Sequence, residues 1–496
     1  MRKESMTVMK GWSKDRKHTK TMTRGLFHKF LILISLPLLT SELQSTEISA
    51  SSLRGTEQSN YIEQWEMFTS NDMISSHQTM VDIDTLGTTL SFLNDSLCYI
   101  IDPRRSMTVV AQELTALLEG KDTVVNIVHL GDSHIQAGFL SGRTMRLMQG
   151  AFGNAGRGWV APFKLSRVNE PNDYYIQSNI KQWIAGRCVQ SSPKCPWGIG
   201  GIGIKTEAKT VRFDLVIAPN NGAGYSFNKV LMYRDSLASP MLPLKDEPMA
   251  GLSFGKQAYE RVVIDTFEIK SLIDTFAIKS VATQNATNLY YGFMLTNGNP
   301  GVLYHSIGVN GARYTDFTNR KYIRQLSLLK PSLLIVSLGT NESFGRNFSE
   351  EEFAAQIRAF VNLVREEMPD VTLLLTTPIE SYRRYYKNKK RYYRPNENMP
   401  RVAASIRSLT ADEGLACLDL YSVGGGQESC AKWFESGMLG SDRVHFSRSG
   451  YTEQGALLFK ALMRSCLNER DNYSGEELGS AEFNYVRIGE EVSCVE

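Results

Sequence analysis

The chain has 496 residues, with 55 Lys and Arg against 52 Asp and Glu and a hydrophobic fraction of 42%. That length exceeds one small domain, and the composition is that of a globular protein, not a disordered or fibrous one. The net charge of +3 gathers at the N-terminus: residues 1–45 hold nine basic residues against three acidic, and residues 46–496 are net −3. The body has no overall basic character that would call for nucleic acid or a membrane surface as partner.

In chain order, Arg24 and Lys29 precede an apolar stretch over 30–40. A bilayer span needs about 20 apolar residues. The stretch is shorter and matches the core of a signal peptide occupying 1–45, with cleavage inside 41–50 and Met22 as a second candidate start. An uncleaved anchor is the other reading. No cysteine follows the apolar core to carry a lipid, and no other stretch could cross a membrane. Residues 46–120 read as a lead. It is polar and loosely structured to 105, then helical over 109–118 until Gly120 ends the helix.

Residues 124–130 are an apolar run suited to a strand buried on both faces, and helical spacing resumes over 135–148. Between them stand Gly131, Asp132, Ser133 and His134. The same alternation returns from residue 301: strands over 331–338, 371–377 and 416–420, helices over 350–366, 399–409 and 450–467. Strands alternating with helices predict an α/β domain, a parallel sheet with helices on both faces, built from 121–165 and 301–470. A tail over 471–496 follows.

Residues 166–300 have a different pattern, with short apolar–polar alternations over 211–217, 229–233 and 288–295 separated by Gly, Asn and Pro turns. This predicts an inserted antiparallel β-sandwich. Inside it the run from Ile264 to Leu272 is nearly repeated from Ile273 to Val281. Nine residues are too few for a helical solenoid unit, so two similar strands are expected. An odd period reverses the inward face if the pairing is kept, so one copy is expected to bulge. The cysteines are Cys98, Cys188, Cys195, Cys417, Cys430, Cys466 and Cys494, an odd set. Cys188 and Cys195 could close a short disulfide loop in an oxidising compartment, and no Cys/His group has zinc-site spacing.

Ser133 follows a buried strand at a tight turn into a helix, the setting in which a serine becomes an exposed nucleophile. A serine hydroxyl attacks only when a base takes its proton. His445 can do so because imidazole titrates near neutrality. Asp442, three residues earlier, can accept the other ring N–H and fix the tautomer. The plainer readings stay open: Ser133 as a helix cap, Asp442 as a turn residue, His445 as a surface histidine. His129 reads as a core histidine, His305 as a packing residue with pocket lining second, and His134 as pointing away from the nucleophile.

Four segments resemble, in order, the motif blocks of the SGNH (GDSL-type) hydrolases: Gly131 to His134, Ser306 to Arg313, Gly339 to Glu342, and Asp442 to His445. The resemblance implies a doubly wound, flavodoxin-like three-layer sheet for 121–165 and 301–470. It also implies an oxyanion site made of the backbone N–H groups of Ser133 and Gly311 and the side-chain amide of Asn341, which could instead be a turn residue. No metal or organic cofactor is implied. The run Gly131-Asp132-Ser133-His134-Ile135-Gln136-Ala137-Gly138, with Phe152-Gly153-Asn154-Ala155-Gly156-Arg157-Gly158-Trp159, is similar to the peptidoglycan O-acetylesterase branch. In that branch a β-sandwich of carbohydrate-binding type accompanies the hydrolase domain.

The expected activity is that of an exported serine esterase, periplasmic or at the cell surface. It would remove O-acetyl groups from a carbohydrate, peptidoglycan first, with neither nucleic acid nor stable membrane insertion involved. An O-acetyltransferase and a non-catalytic glycan-binding protein are the alternatives. One stretch fits none of these blocks: 383–394 interleaves Arg, Lys and Tyr. It reads as a solvated loop, with glycan contact second and nucleic-acid stacking last.

Overall fold

The computed structural model describes residues 90–218, 224–281 and 287–474, with Leu86 and the short strands Gln78–Asp82 and Tyr485–Gly489. The expected signal segment, most of the lead and Cys494 lie outside the described residues. The centre is a five-stranded parallel sheet in the order Gly301–Gly308, Val124–Gly131, Leu333–Ser337, Thr372–Thr376, Ala416–Leu418. Numbered along the chain this is 2-1-3-4-5, the flavodoxin-like doubly wound order. The helices Met107–Leu118, Phe139–Phe152 and Arg448–Ser474 pack together as one layer. The helices Arg320–Leu326, Glu350–Glu367 and Asn398–Glu413 pack around the other side. Leu333 to Val336 and all of Thr372–Thr376 are buried, which is why these strands are uninterrupted apolar runs with no alternation.

The antiparallel strands form two sheets. The larger has the order Met249–Tyr259, Val262–Ile273, Phe227–Asp235, Asn288–Thr296, Ile202–Thr206, Ile184–Arg187. Gly158–Val160 also pairs with Asn288–Thr296, so the antiparallel sheet begins before residue 166. The smaller sheet has the order Tyr174–Ser178, Arg212–Ile217, Thr275–Ser280, Met241–Pro243. They close face to face: Phe213 of the smaller sheet meets Tyr290 and Phe293 of the larger at ring centroids 5.0 and 5.5 Å apart. The nine-residue repeat sits at a sheet change. Its first copy lies in Val262–Ile273 and its second in Thr275–Ser280, on opposite sheets. The equivalent Phe267 and Phe276 therefore face each other across the interior at 5.5 Å. Changing sheets at Asp274 satisfies the burial of both copies, and the first copy also departs from regular pairing, its register against Phe227–Asp235 shifting between Glu268 and Ile273.

The larger sheet also holds a buried ion pair. Arg234 donates from Nε and Nη2 to the two oxygens of Asp265 at 2.7 and 3.0 Å, with both side chains almost fully enclosed. Removing one partner of such a pair leaves a buried charge stranded. Arg234→Ala is expected to cost about 3–5 kcal/mol, seen as a lower urea midpoint in equilibrium unfolding. A midpoint within experimental error of the parent would rule out this role.

Three expectations are corrected. The lead is packed at its end: Cys98 is fully buried, Ile101 bridges Cys417 beside the edge strand, and Asp95 accepts from Lys460 at 2.6 Å and Arg464 at 3.0 Å. This segment is too short and irregular for periodicity to reveal. The tail is not featureless, since Arg448–Ser474 extends into it and Tyr485–Gly489 pairs with Gln78–Asp82. Cys188 and Cys195 are not bonded to each other; both are free and buried. They occupy separate packing positions, with Cys195 Sγ turned toward the carbonyls of Ile184 and Gly203. Burial pushes the Cys195 thiol up to about 11.

Candidate active site

The strand order places three C-terminal ends side by side. Gly131 is in register with Gly308 on one side and Ser337 on the other, and the loops that follow carry Ser133, Gly311 and Asn341. In a 2-1-3-4-5 sheet this is the switch point where the chain winds in opposite directions and a crevice opens.

Asp132 caps the short helix Ser133–Gln136, its side chain accepting from the His134 N–H at 2.9 Å, and so holds Ser133 at the first helical position. The expected helix over 135–148 is broken after this turn. Gly138 has φ +73°, and a new helix, Phe139–Phe152, begins. Ser133 Oγ lies 2.9 Å from His445 Nε2, and His445 Nδ1 lies 2.7 Å from Asp442 Oδ2. The other carboxylate oxygen, Oδ1, accepts from the backbone N–H groups of Val444 and His445 at 3.0 Å. Asp442 is therefore fixed relative to the ring it orients. The hydrogen bond that His445 donates to Asp442 raises the His445 pKa above the ordinary histidine value, against a smaller opposing effect of burial. The carboxyl of Asp442 is held well below the usual range by the hydrogen bonds it accepts, which outweigh its own burial. The loop is pinned from outside: Arg443 accepts at its carbonyl from the Tyr382 N–H at 2.9 Å, and its guanidinium lies over the rings of Phe434 and Tyr393.

Among the described residues, the backbone N–H groups of Ser133 and Gly311 have no hydrogen-bond partner and are free to donate. Gly311 has φ +85°, and a Cβ there would meet nothing within 4 Å. Conformation, not lack of space, is what asks for glycine. Asn341 donates from Nδ2 to Asp132 Oδ2 at 3.2 Å and to the Ala312 carbonyl at 3.0 Å. Both amide hydrogens are engaged, the longer contact being with a carboxyl that burial pushes up to about 7.

Several supporting residues escape a reading of the sequence. Gln136 is buried, donates to the Asn169 carbonyl at 2.9 Å and accepts the Asn310 N–H at 2.7 Å, so it holds the turn that presents Gly311. A Cβ on Gly308 would lie 2.1 Å from the Gln136 nitrogen, so only glycine lets these two segments meet. His134 does not point away: its ring stacks on His445 at 5.4 Å, and its Nδ1 is 3.0 Å from the Tyr451 hydroxyl. Burial and the neighbouring His445 hold His134 down to about 3, so it stays neutral and does not compete for the proton. His129 is a core residue bonded to the Tyr304 and Ser337 hydroxyls. His305 is likewise enclosed, accepting from the Trp159 N–H at 3.1 Å. Only the motif Gly131 to Gly138 as a whole hints that Gln136 and His134 matter.

A cleft of about 380 Å³ opens at the site, lined by Phe344, Tyr382, Arg383, Arg384, Asp442, Val444 and His445. The stretch read as a loop is a β-hairpin, Tyr382–Lys387 paired with Lys390–Pro395, and its base forms one wall of this cleft. Among the described residues there is no group of three or more His, Cys, Asp and Glu able to hold a metal ion, and no helix long and apolar enough to cross a membrane. A hydroxyl against an imidazole backed by a carboxylate, with free N–H groups near, can perform acyl transfer through a covalent serine intermediate.

Residues 277–452 match the model of the GDSL-like Lipase/Acylhydrolase family. The matched range contains Gly311, Asn341, Asp442 and His445 but not Ser133, which the fold brings to His445 from the far side of the antiparallel sheets. The class so defined is that of the SGNH (GDSL-type) hydrolases, a family of ester-cleaving acylhydrolases that the chain resembles in motif, order and fold. Within it, the fold is similar to a solved structure described as a peptidoglycan O-acetylesterase in action. The TM-score is 0.61 and the identity 18%, with 74% of this chain and 99% of that chain covered. Partial matches include a lipase/acylhydrolase from Enterococcus faecalis, with 21% identity, 33% of this chain and 75% of that one covered, and a TM-score of 0.24. A GDSL-like lipase from Bacteroides thetaiotaomicron matches with 18% identity, 32% and 76% coverage, and a TM-score of 0.25. No curated protein sequence matches the chain.

Proposed function

We propose that the chain is an exported serine esterase that removes O-acetyl groups from a glycan, peptidoglycan first. The observation that carries the reaction is the hydrogen-bonded relay from Ser133 through His445 to Asp442, at 2.9 and 2.7 Å, at the mouth of a cleft. Ser133 Oγ attacks the acetyl carbonyl carbon while its proton passes to His445 Nε2. The oxyanion is met by the N–H groups of Ser133 and Gly311 and by Asn341, whose long contact to Asp132 gives way to it. His445 then protonates the departing sugar oxygen as the C–O bond breaks. Water, deprotonated by the same nitrogen, releases acetate from the acyl-serine.

The choice of a glycan is supported by fold likeness over nearly the whole of a peptidoglycan O-acetylesterase, and by two antiparallel sheets beyond the α/β core. The test is acetate release by purified protein from O-acetylated peptidoglycan, acetylated xylan and acetylated sialic acid. Fastest release from peptidoglycan is expected; release from none of the three would remove the glycan assignment.

The role of Asn341 has its own test. Loss of one oxyanion donor costs about 10²- to 10³-fold in kcat. Asn341→Ala is expected to lower kcat within this range with KM little changed. A rise in KM alone would mark Asn341 as a turn residue that shapes the cleft.

A further inference from the structure

Among the described residues, the hairpin over 382–395 is a strongly basic feature whose tip the reaction leaves unused. Its fourteen residues hold seven Lys and Arg and five Tyr with no Asp or Glu, while the rest of 46–496 is net −10. Among the described residues Arg384, Lys387, Lys389, Lys390, Arg391 and Arg394 form no ion pair. Arg384 and Arg391 lie over the rings of Tyr386 and Tyr393, but no carboxylate neutralises any of the six, so their charge is not needed to hold the hairpin together. The pairing joins Tyr385 to Tyr392 and Lys387 to Lys390. One face thus presents two tyrosine rings stacked at 5.6 Å, each about 40% exposed, followed by two lysines. The turn is made by Asn388 and Lys389 with φ of +50° and +61°. Two-residue turns of this hand favour glycine at the second place; a lysine there adds a cation to the tip.

The base of the hairpin belongs to the active site. Tyr382, Arg383 and Arg384 line the cleft with His445, and Tyr393 donates from its hydroxyl to the Ser441 carbonyl at 2.7 Å, next to Asp442. Arg383 donates to Asn396 Oδ1 at 2.8 Å and to the carbonyls of Ser343 and Gly345, which anchors the base while leaving the tip free.

We infer that this hairpin is the arm that holds a carboxylate-bearing glycan strand across the mouth of the cleft. The inference rests on the esterase reading above for what happens in the cleft, and it adds the substrate class: an acidic polymer. The tip cations meet carboxylates along the strand, and the Tyr385 and Tyr392 pair offers a flat apolar surface to a sugar ring. Exposed pairs of this kind are screened by salt, with a Debye length of about 8 Å at 0.15 M, so the grip is salt-dependent. A nucleic acid would be drawn by the same charge, but the site beside the hairpin is built to open an ester.

The test separates gripping from turnover. The full chain carrying Ser133→Ala is sedimented with insoluble de-O-acetylated peptidoglycan, alone and with Lys387→Glu and Lys390→Glu added. Retention is expected to weaken by about tenfold on charge reversal, to weaken with added salt in the parent, and to survive Lys387→Arg with Lys390→Arg. In the active chain the same reversal is expected to raise KM on O-acetylated peptidoglycan by a similar factor. Rates on p-nitrophenyl acetate and on a neutral acetylated xylan oligomer should stay within about twofold. Unchanged sedimentation on reversal would overturn the inference, as would an equal loss on p-nitrophenyl acetate. Displacement from the glycan by lower concentrations of a DNA duplex or anionic vesicles would also overturn it. If the parent binds through the hairpin yet releases no acetate from any glycan, the grip stands and the esterase reading falls.

Discussion

Ser133→Ala is expected to lower kcat/KM on p-nitrophenyl acetate by about 10⁴- to 10⁶-fold, with stability changed by less than about 0.5 kcal/mol. The substitution removes one atom, the Oγ that lies 2.9 Å from His445 Nε2. The local fold does not depend on it. The cap of the short helix is the Asp132 side chain accepting from the His134 N–H, and the Ser133 backbone N–H remains as a donor. The variant therefore keeps the means to stabilise an oxyanion and loses the means to form an acyl-enzyme. Residual activity of about 10³- to 10⁴-fold over water is the expected remainder. Since nucleophile and base act as one unit, adding His445→Ala to Ser133→Ala is expected to cost little more than either alone. The measurements are steady-state kinetics of the single and double variants, with labelling by a fluorophosphonate probe lost in each. A Ser133→Ala protein retaining a tenth of the parent rate would exclude Ser133 as the nucleophile.

How much of this was legible depends on what each residue packs against. Strands covered on both faces show as runs such as Leu333 to Val336, and the sheet was read from them almost to its edges. The proposed reactive groups could be named from the sequence because acyl transfer restricts them to few residue types: a serine at a strand end, and a histidine three residues after an aspartate. The hairpin was hidden by the same physics. Neither of its faces is buried, so no apolar alternation marks it, and its turn lacks the glycine that signals a hairpin. The supporting contacts were hidden differently. Asn341 reaches Asp132 across 209 residues of chain, and Tyr451 reaches His134 across 317. His134 was expected to turn away because the direction of its ring is set by Phe446 and Tyr451, which local spacing does not contain. The repeat at 264–281 did announce two strands. Only the packing of Phe267 on Phe276 requires that they lie in different sheets.

Asp442→Asn is expected to lower kcat by about 10⁴-fold and to move the acid limb of kcat/KM to lower pH. The first effect is one of tautomer. His445 Nδ1 lies 2.7 Å from Asp442 Oδ2, so the carboxylate keeps the ring proton on Nδ1 and leaves Nε2 free to take the proton of Ser133. An asparagine can retain the two backbone N–H contacts through its carbonyl oxygen, which turns its NH₂ toward Nδ1. That nitrogen must then accept, the ring proton moves to Nε2, and the base is lost while the loop is preserved. The second effect follows from charge. Asp442 raises the His445 pKa, and the imidazole is a base only when deprotonated. In the parent, activity therefore rises with pH through a value above the ordinary histidine pKa of about 6.5. Without the carboxylate, burial lowers that pKa against a smaller upward effect of Asp132, so the residual activity appears from lower pH. The pH profiles of kcat/KM for parent and variant, measured on a small ester to exclude hairpin effects, give both quantities. A tenfold loss or less, or an acid limb that stays in place, would show that Asp442 only holds the turn and does not orient the base.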